Sequence, residues 1–118
     1  MATSSTWLAS ASRTTTQTSA DIDTSNFQNL IVTVVTTVIG TGSITLTINA
    51  KDPASGTYRL LLAGVPITTN TTNVYKVTRN LAAVANVSAL DDLPEFIQLV
   101  MTANNANAAT YSVGYDLD

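Results

Sequence analysis

SITLTINAKDPASGTYRLLL, residues 43–62, decides how this chain folds. Ile44, Leu46, Ile48 and Ala50 alternate with Ser43, Thr45, Thr47 and Asn49. That period of two is what a half-buried strand requires and an amphipathic helix cannot use. Pro53 presets φ for a turn, Asp52 can accept a hydrogen bond from the turn backbone, and Gly56 tolerates the positive φ with which such loops return. The stretch predicts a β-hairpin onto which the rest of the chain packs. None of its residues marks a reaction, so function has to be sought in surface and assembly.

Working outward, residues 28–39 supply Leu30, Ile31, Val32, Val34, Val35, Val38 and Ile39, apolar on both parities and strongly β-branched. Such a strand sits in the middle of a sandwich or under an interface. Gly40-Thr41-Gly42 predicts a hairpin into the strand at 43–50, because glycine enters the left-handed conformations a tight return needs. With the 52–56 turn, this gives a three-stranded meander. Residues 1–20 are rich in Ala, Ser and Thr, with Trp7 and Leu8 as their large apolar side chains. They predict an extended N-terminal arm or an edge strand, leaving 21–118 as the β-sandwich domain. Trp7 has two readings: a cap on the domain's own core, or an anchor on a neighbouring subunit, where tryptophan is enriched.

Beyond the hairpin, Gly64-Val65-Pro66 ends a strand because proline cannot donate to a ladder. In residues 74–79, Tyr75 and Val77 alternate with Lys76 and Thr78, and Leu81, Val84, Val87 and Leu90 recur every three residues, a spacing for a helical turn or a packed loop. Residues 95–103 place Ile97, Leu99 and Met101 on one face and Phe96 and Val100 on the other. After the polar turn at 104–107, Tyr111, Val113, Tyr115 and Leu117 face inward. Short polar turns and no helix of crossover length predict an all-β chain, a single antiparallel β-sandwich of six to eight strands, jelly-roll or Ig-like.

Composition excludes several functions. Cysteine and histidine are absent from all 118 residues, which removes disulfides, thiol chemistry, the usual zinc sites and the commonest neutral-pH general base. A net charge of −3 with five basic residues disfavours nucleic acid, whose phosphates call for a basic stripe. No run approaches the roughly 20 apolar residues of a membrane span, and the opening residues lack the apolar core of a secretory signal, so synthesis in the cytosol is expected. Asp91, Asp92 and Glu95 are the densest acidic group, but they lack a calcium-loop spacing and fit turn chemistry instead. Neither a metal, a cofactor nor a catalytic residue is predicted. Aromatic residues including Trp7, Phe27, Tyr58 and Tyr75 raise a carbohydrate-binding face as an alternative, although their alternation with aliphatics marks packing. Only 11% of residues are charged, against about 25% in a typical soluble domain. A surface of neutral hydroxyls and amides fits one covered in an assembly.

Lys51-Asp52-Pro53-Ala54-Ser55-Gly56-Thr57-Tyr58, Leu60-Leu61-Leu62-Ala63 and Ile67-Thr68-Thr69, with the closing Thr102-Ala103-Asn104-Asn105-Ala106-Asn107 and Ala109-Thr110-Tyr111-Ser112-Val113-Gly114, resemble a group of small virion proteins of tailed bacteriophages. The resemblance runs from about Gln28 to the C-terminus. It implies a non-enzymatic head decoration, or cement, protein on the outer surface of the capsid. Such a protein binds the major capsid protein and itself, most often as a trimer, and holds neighbouring capsomers together. A tail or neck component shares every one of these features. On this reading, the interface residues are Trp7, Leu8 and Arg13 on the arm and either Ile31 and Val35 or Phe96 and Val100 on a doubly apolar strand.

Overall fold

The computed structural model describes residues 3–78, 87–90 and 94–118. The alternation at 43–50 is realised in β5 (Ile44–Lys51), whose side chains run buried and half-buried in turn. The other strands are β1 (Thr3–Arg13), β2 (Gln17–Thr18), β3 (Ile22–Asp23), β4 (Leu30–Val38), β6 (Tyr58–Ala63), β7 (Thr72–Thr78), β8 (Ser88–Leu90), β9 (Phe96–Ala103) and β10 (Ala109–Leu117). Among the described residues there is no helix.

Among the described residues, ten strands make two packed sheets. One has the order β1-β10-β4-β7-β8, and the other has β2-β9-β5-β6, with β3 also on β9. Every pairing is antiparallel except β7 with β8. The pairs nest: β5 meets β6, β4 meets β7, β2 and β3 meet β9, and β1 meets β10. A chain folded back on itself and rolled into two sheets in this way is a jelly roll, so the alternative of an Ig-like arrangement falls away.

The 52–56 turn forms as the sequence predicts. Gly56 N–H donates to the Asp52 carbonyl at 2.7 Å, Asp52 N–H donates to the Thr57 carbonyl at 2.8 Å, and Gly56 has φ +74°. The Asp52 carboxylate accepts from Ser55 Oγ at 2.6 Å and from Ala54 N–H. These bonds, the Ser55 hydroxyl first, hold its pKa below the usual carboxylate value.

Residues 40–42 do not form the predicted hairpin, and the meander is not formed. β4 and β5 lie in different sheets, so this segment is an arch across the open end of the sandwich. Ile39 is buried as the chain turns inward, and its N–H donates to Asn70 Oδ1 at 2.9 Å. Only Gly40, at φ +54°, uses the left-handed region. Gly42 is needed for space: a Cβ there would stand 2.9 Å from the Ile39 carbonyl oxygen and 3.1 Å from that of Ala108.

Leu30, Val32 and Val34 from β4, Leu46 and Ile48 from β5, Ile97, Leu99 and Met101 from β9, and Tyr111 and Val113 from β10 fill the space between the sheets. Each fully buried aliphatic or aromatic side chain of this size contributes about 1.5–3 kcal/mol. The β4 strand, apolar on both parities, buries one face only; its other face is open. Of the three-residue recurrence, Leu81 and Val84 lie outside the described residues, as do Asp91 and Asp92. Val87 is exposed, and Leu90 ends β8.

Candidate functional site

With the inward positions spent on the core, the surfaces available to a partner include the two outer sheet faces and the open edge beside β1. The outer face of the first sheet follows from register. Asp116, Ile31 and Lys76 lie side by side on β10, β4 and β7. The next outward row is Gly114, Thr33 and Val74, and the one after it is Ser112, Val35 and Thr72. Val35 is 37% exposed and Val74 40%. Charge gathers at one end of this face, where Lys76, Asp116 and the exposed Asp118 line a groove of about 250 Å³ that runs over Ile31. Elsewhere this face carries hydroxyls, β-branched carbons and, at Gly114, no side chain.

The outer face of the second sheet is more polar and already tied together. Asn49 lies opposite Gln98 and donates to it at 3.4 Å. Lys51 forms an ion pair with Asp21 at 2.5 Å, and the Tyr58 hydroxyl donates to the other oxygen of the same carboxylate. Hydrogen bonding to Lys51 and then Tyr58 pulls Asp21 below the usual carboxylate pKa, and the same contacts raise Lys51 and Tyr58. Phe96 lies between Lys51 and Asp23, and Val100 between Thr47 and Thr18. Both are half-buried.

At the edge, β1 slips register against β10 between Thr6 and Leu8 and again between Leu8 and Ala11. Arg13 gathers this irregular stretch. Its guanidinium donates to the carbonyls of Ala9 at 2.6 Å, Ala11 at 3.2 Å and Tyr111 at 2.8 Å, and lies 5.0 Å from the Tyr111 ring centroid. Trp7 and Leu8 are partly buried against the chain's own core. Trp7, Phe27 and Tyr115 line a cleft of about 510 Å³ between β1 and the β2–β3 segment.

The seven predicted interface residues therefore fall in three places. Ile31 and Val35 share the first sheet's outer face, Phe96 and Val100 share the opposite side of the sandwich, and Trp7, Leu8 and Arg13 belong to the β1 edge, turned toward their own domain. The sequence reading set Lys76 on the outward face of its strand but did not place Val74 or Asp116 there. The signal was present for Val74, which has the outward parity of Lys76; for Asp116 it lay in a pairing with β4 that no local pattern reveals.

No protein-family model and no curated protein sequence matches the chain. The solved structures that share its fold include two from viral sources. One is the crystal structure of the SPBc2 prophage-derived protein YomS, with a TM-score of 0.56 and 13% identity, over 100% of this chain and 94% of that one. The other is a structure of infectious bursal disease virus, Gx strain, with a TM-score of 0.51 and 15% identity. It is matched over 99% of this chain and 31% of that one.

Proposed function

We propose that the chain is a non-enzymatic structural protein of a virus particle, in finer terms a head decoration protein of a tailed phage that binds the assembled shell. The observation that carries this reading is the jelly roll itself, an architecture recurrent in viral capsid domains. The same fold occurs in a prophage-derived protein of nearly equal length and in a virus structure. The charge-poor surface supports it, because threonine, serine and valine cost less to dehydrate than charged side chains when a face is covered. Binding only to assembled shells would stabilise them by mass action, and many copies on a symmetric lattice would add avidity.

The test is co-sedimentation of the purified chain with empty heads of the phage that encodes it, compared with tails of the same phage. Saturable binding to heads is expected. Binding to tails alone moves the protein to the tail or neck, and binding to neither refutes a virion role. Jelly rolls also serve as lectin domains, and the cleft beside Trp7, Phe27 and Tyr115 gives a second reading as a glycan-binding module. Retardation on polysaccharide gels that a Trp7→Ala change abolishes, with no shell binding, would establish that reading instead.

A further inference from the structure

We infer that the outer face of the first sheet is a self-complementary interface on which a second copy of this chain docks about a two-fold axis running along β4. The placement of charge is the reason. Asp116 and Lys76 flank Ile31 on either side in one row, two strand spacings or roughly 9.6 Å apart. Among the described residues, they form no ion pair with each other. The Asp116 carboxylate accepts the Ser4 hydroxyl, its one hydrogen bond among the described residues.

A two-fold axis lying in the face along β4 exchanges left and right while keeping position along the strand. It sets Asp116 of one copy over Lys76 of the other, and Lys76 over Asp116, so both charges are neutralised at once. Ile31, Thr33 and Val35 lie on the axis and meet their own counterparts. Gly114 leaves room for the partner's Val74, which the same operation brings above it. An axis across the strands matches neither charge, so the register selects one geometry. It is isologous, as closed dimers require, and the aligned packing of two sheets at about 30° accommodates it.

Four strands and about eight residues give a face of roughly 500 Å² in projection. That is below the roughly 800 Å² per partner of a standard interface, so pairing is weak and concentration-dependent. It holds whether the protein serves a virion or not, and it replaces the trimer that the family resemblance implies.

Sedimentation equilibrium up to about 1 mM should show a species of twice the 12.4 kDa chain mass, and Val35→Glu should remove it while Leu60→Glu on the second sheet does not. Lys76→Glu and Asp116→Lys each put two like-charge contacts into the interface and should weaken self-association about tenfold or more. Mixed together, those two variants should associate, because each then meets its opposite. A second measurement is independent of charge: in a chain with no native cysteine, Thr33→Cys should be joined to its own counterpart by a short bis-maleimide, which spans the roughly 10 Å between packed sheets that a disulfide cannot, and Leu60→Cys should not. A chain that stays monomeric at 1 mM, a trimer, or absent cross-linking at Thr33→Cys overturns the inference. None of these outcomes touches shell binding, which tests the functional proposal separately.

Discussion

Replacing Gly42 with alanine should cost about 2 kcal/mol, because the arch between the sheets has no room for a methyl group. The added Cβ would lie 2.9 Å from the Ile39 carbonyl oxygen and 3.1 Å from the Ala108 carbonyl oxygen, with that of Asn107 at 3.4 Å. All three are backbone atoms, so relief requires moving the arch or the 107–108 segment rather than a rotamer. The Gly42 N–H bond to the Ile39 carbonyl, 2.7 Å long, resists the first movement, and burial of Ala109 resists the second. Overpacking of this kind costs typically 1–3 kcal/mol. With an unfolding entropy of about 2.1 cal/mol/K per residue, 2 kcal/mol lowers Tm by roughly 8 °C in a chain this size. Thermal melts followed by circular dichroism, with urea midpoints as a check, measure it. Gly56→Ala is the comparison: nothing lies within 4 Å of its Cβ, and its φ of +74° is the sole obstacle, so about 1 kcal/mol, or roughly 4 °C, is expected. If Gly42→Ala melts within about 2 °C of the parent, the arch is not wedged between these carbonyls and the reasoning fails.

Arg13→Met keeps the aliphatic stem but removes the guanidinium that gathers the Ala9, Ala11 and Tyr111 carbonyls. Amide exchange across residues 3–13 should quicken by roughly tenfold, with β5 and β9 unchanged; equal protection in both proteins would show that the β1 ladder holds without it. For Asp21, the folded pKa lies below the unfolded value near 3.9. Its contribution to stability is therefore present above about pH 4 and lost as pH falls through the depressed value. Lys51 is shifted upward, so its share is present below the unfolded pKa near 10.4 and disappears only as pH rises past that through the folded value. The Tm difference between the parent and Asp21→Asn should be flat from pH 5 to 9 and shrink progressively as pH falls below 4. A difference that stays constant or grows as pH falls below 4 contradicts this assignment.

The strands were legible wherever burial is one-sided. β5, β9 and β10 each show the period of two, and their inward residues are those the alternation selects. The 52–56 turn was legible because its bonds are local, made by Asp52, Ser55 and Gly56 to one another. The arch at 40–42 was not. β4 buries Leu30, Val32 and Val34, and β5 buries Ile44, Leu46 and Ile48; these parities suit a hairpin in one sheet and a crossing between two sheets equally well. What separates the two is the pairing of β4 with β7 and β10, set by contacts far apart in sequence that leave no local trace. The same holds for the candidate interface. Ile31 and Val35 stand out as apolar residues on a second face, but their alignment with Lys76 and Asp116 comes from two long-range registers. Trp7 was ambiguous for a simpler reason: its ring packs on its own core and also lines an open cleft, so both readings describe part of its surface.

The nested pairing also sets an order of events during synthesis. The β5–β6 pair can close as soon as it leaves the ribosome, whereas β1 has no ladder partner until β10, more than ninety residues later, has been made. Local pairs form before long-range ones because the loop they close is shorter. For most of translation the longest strand among the described residues is thus an uncovered template, with Trp7 and Leu8 as its large apolar side chains.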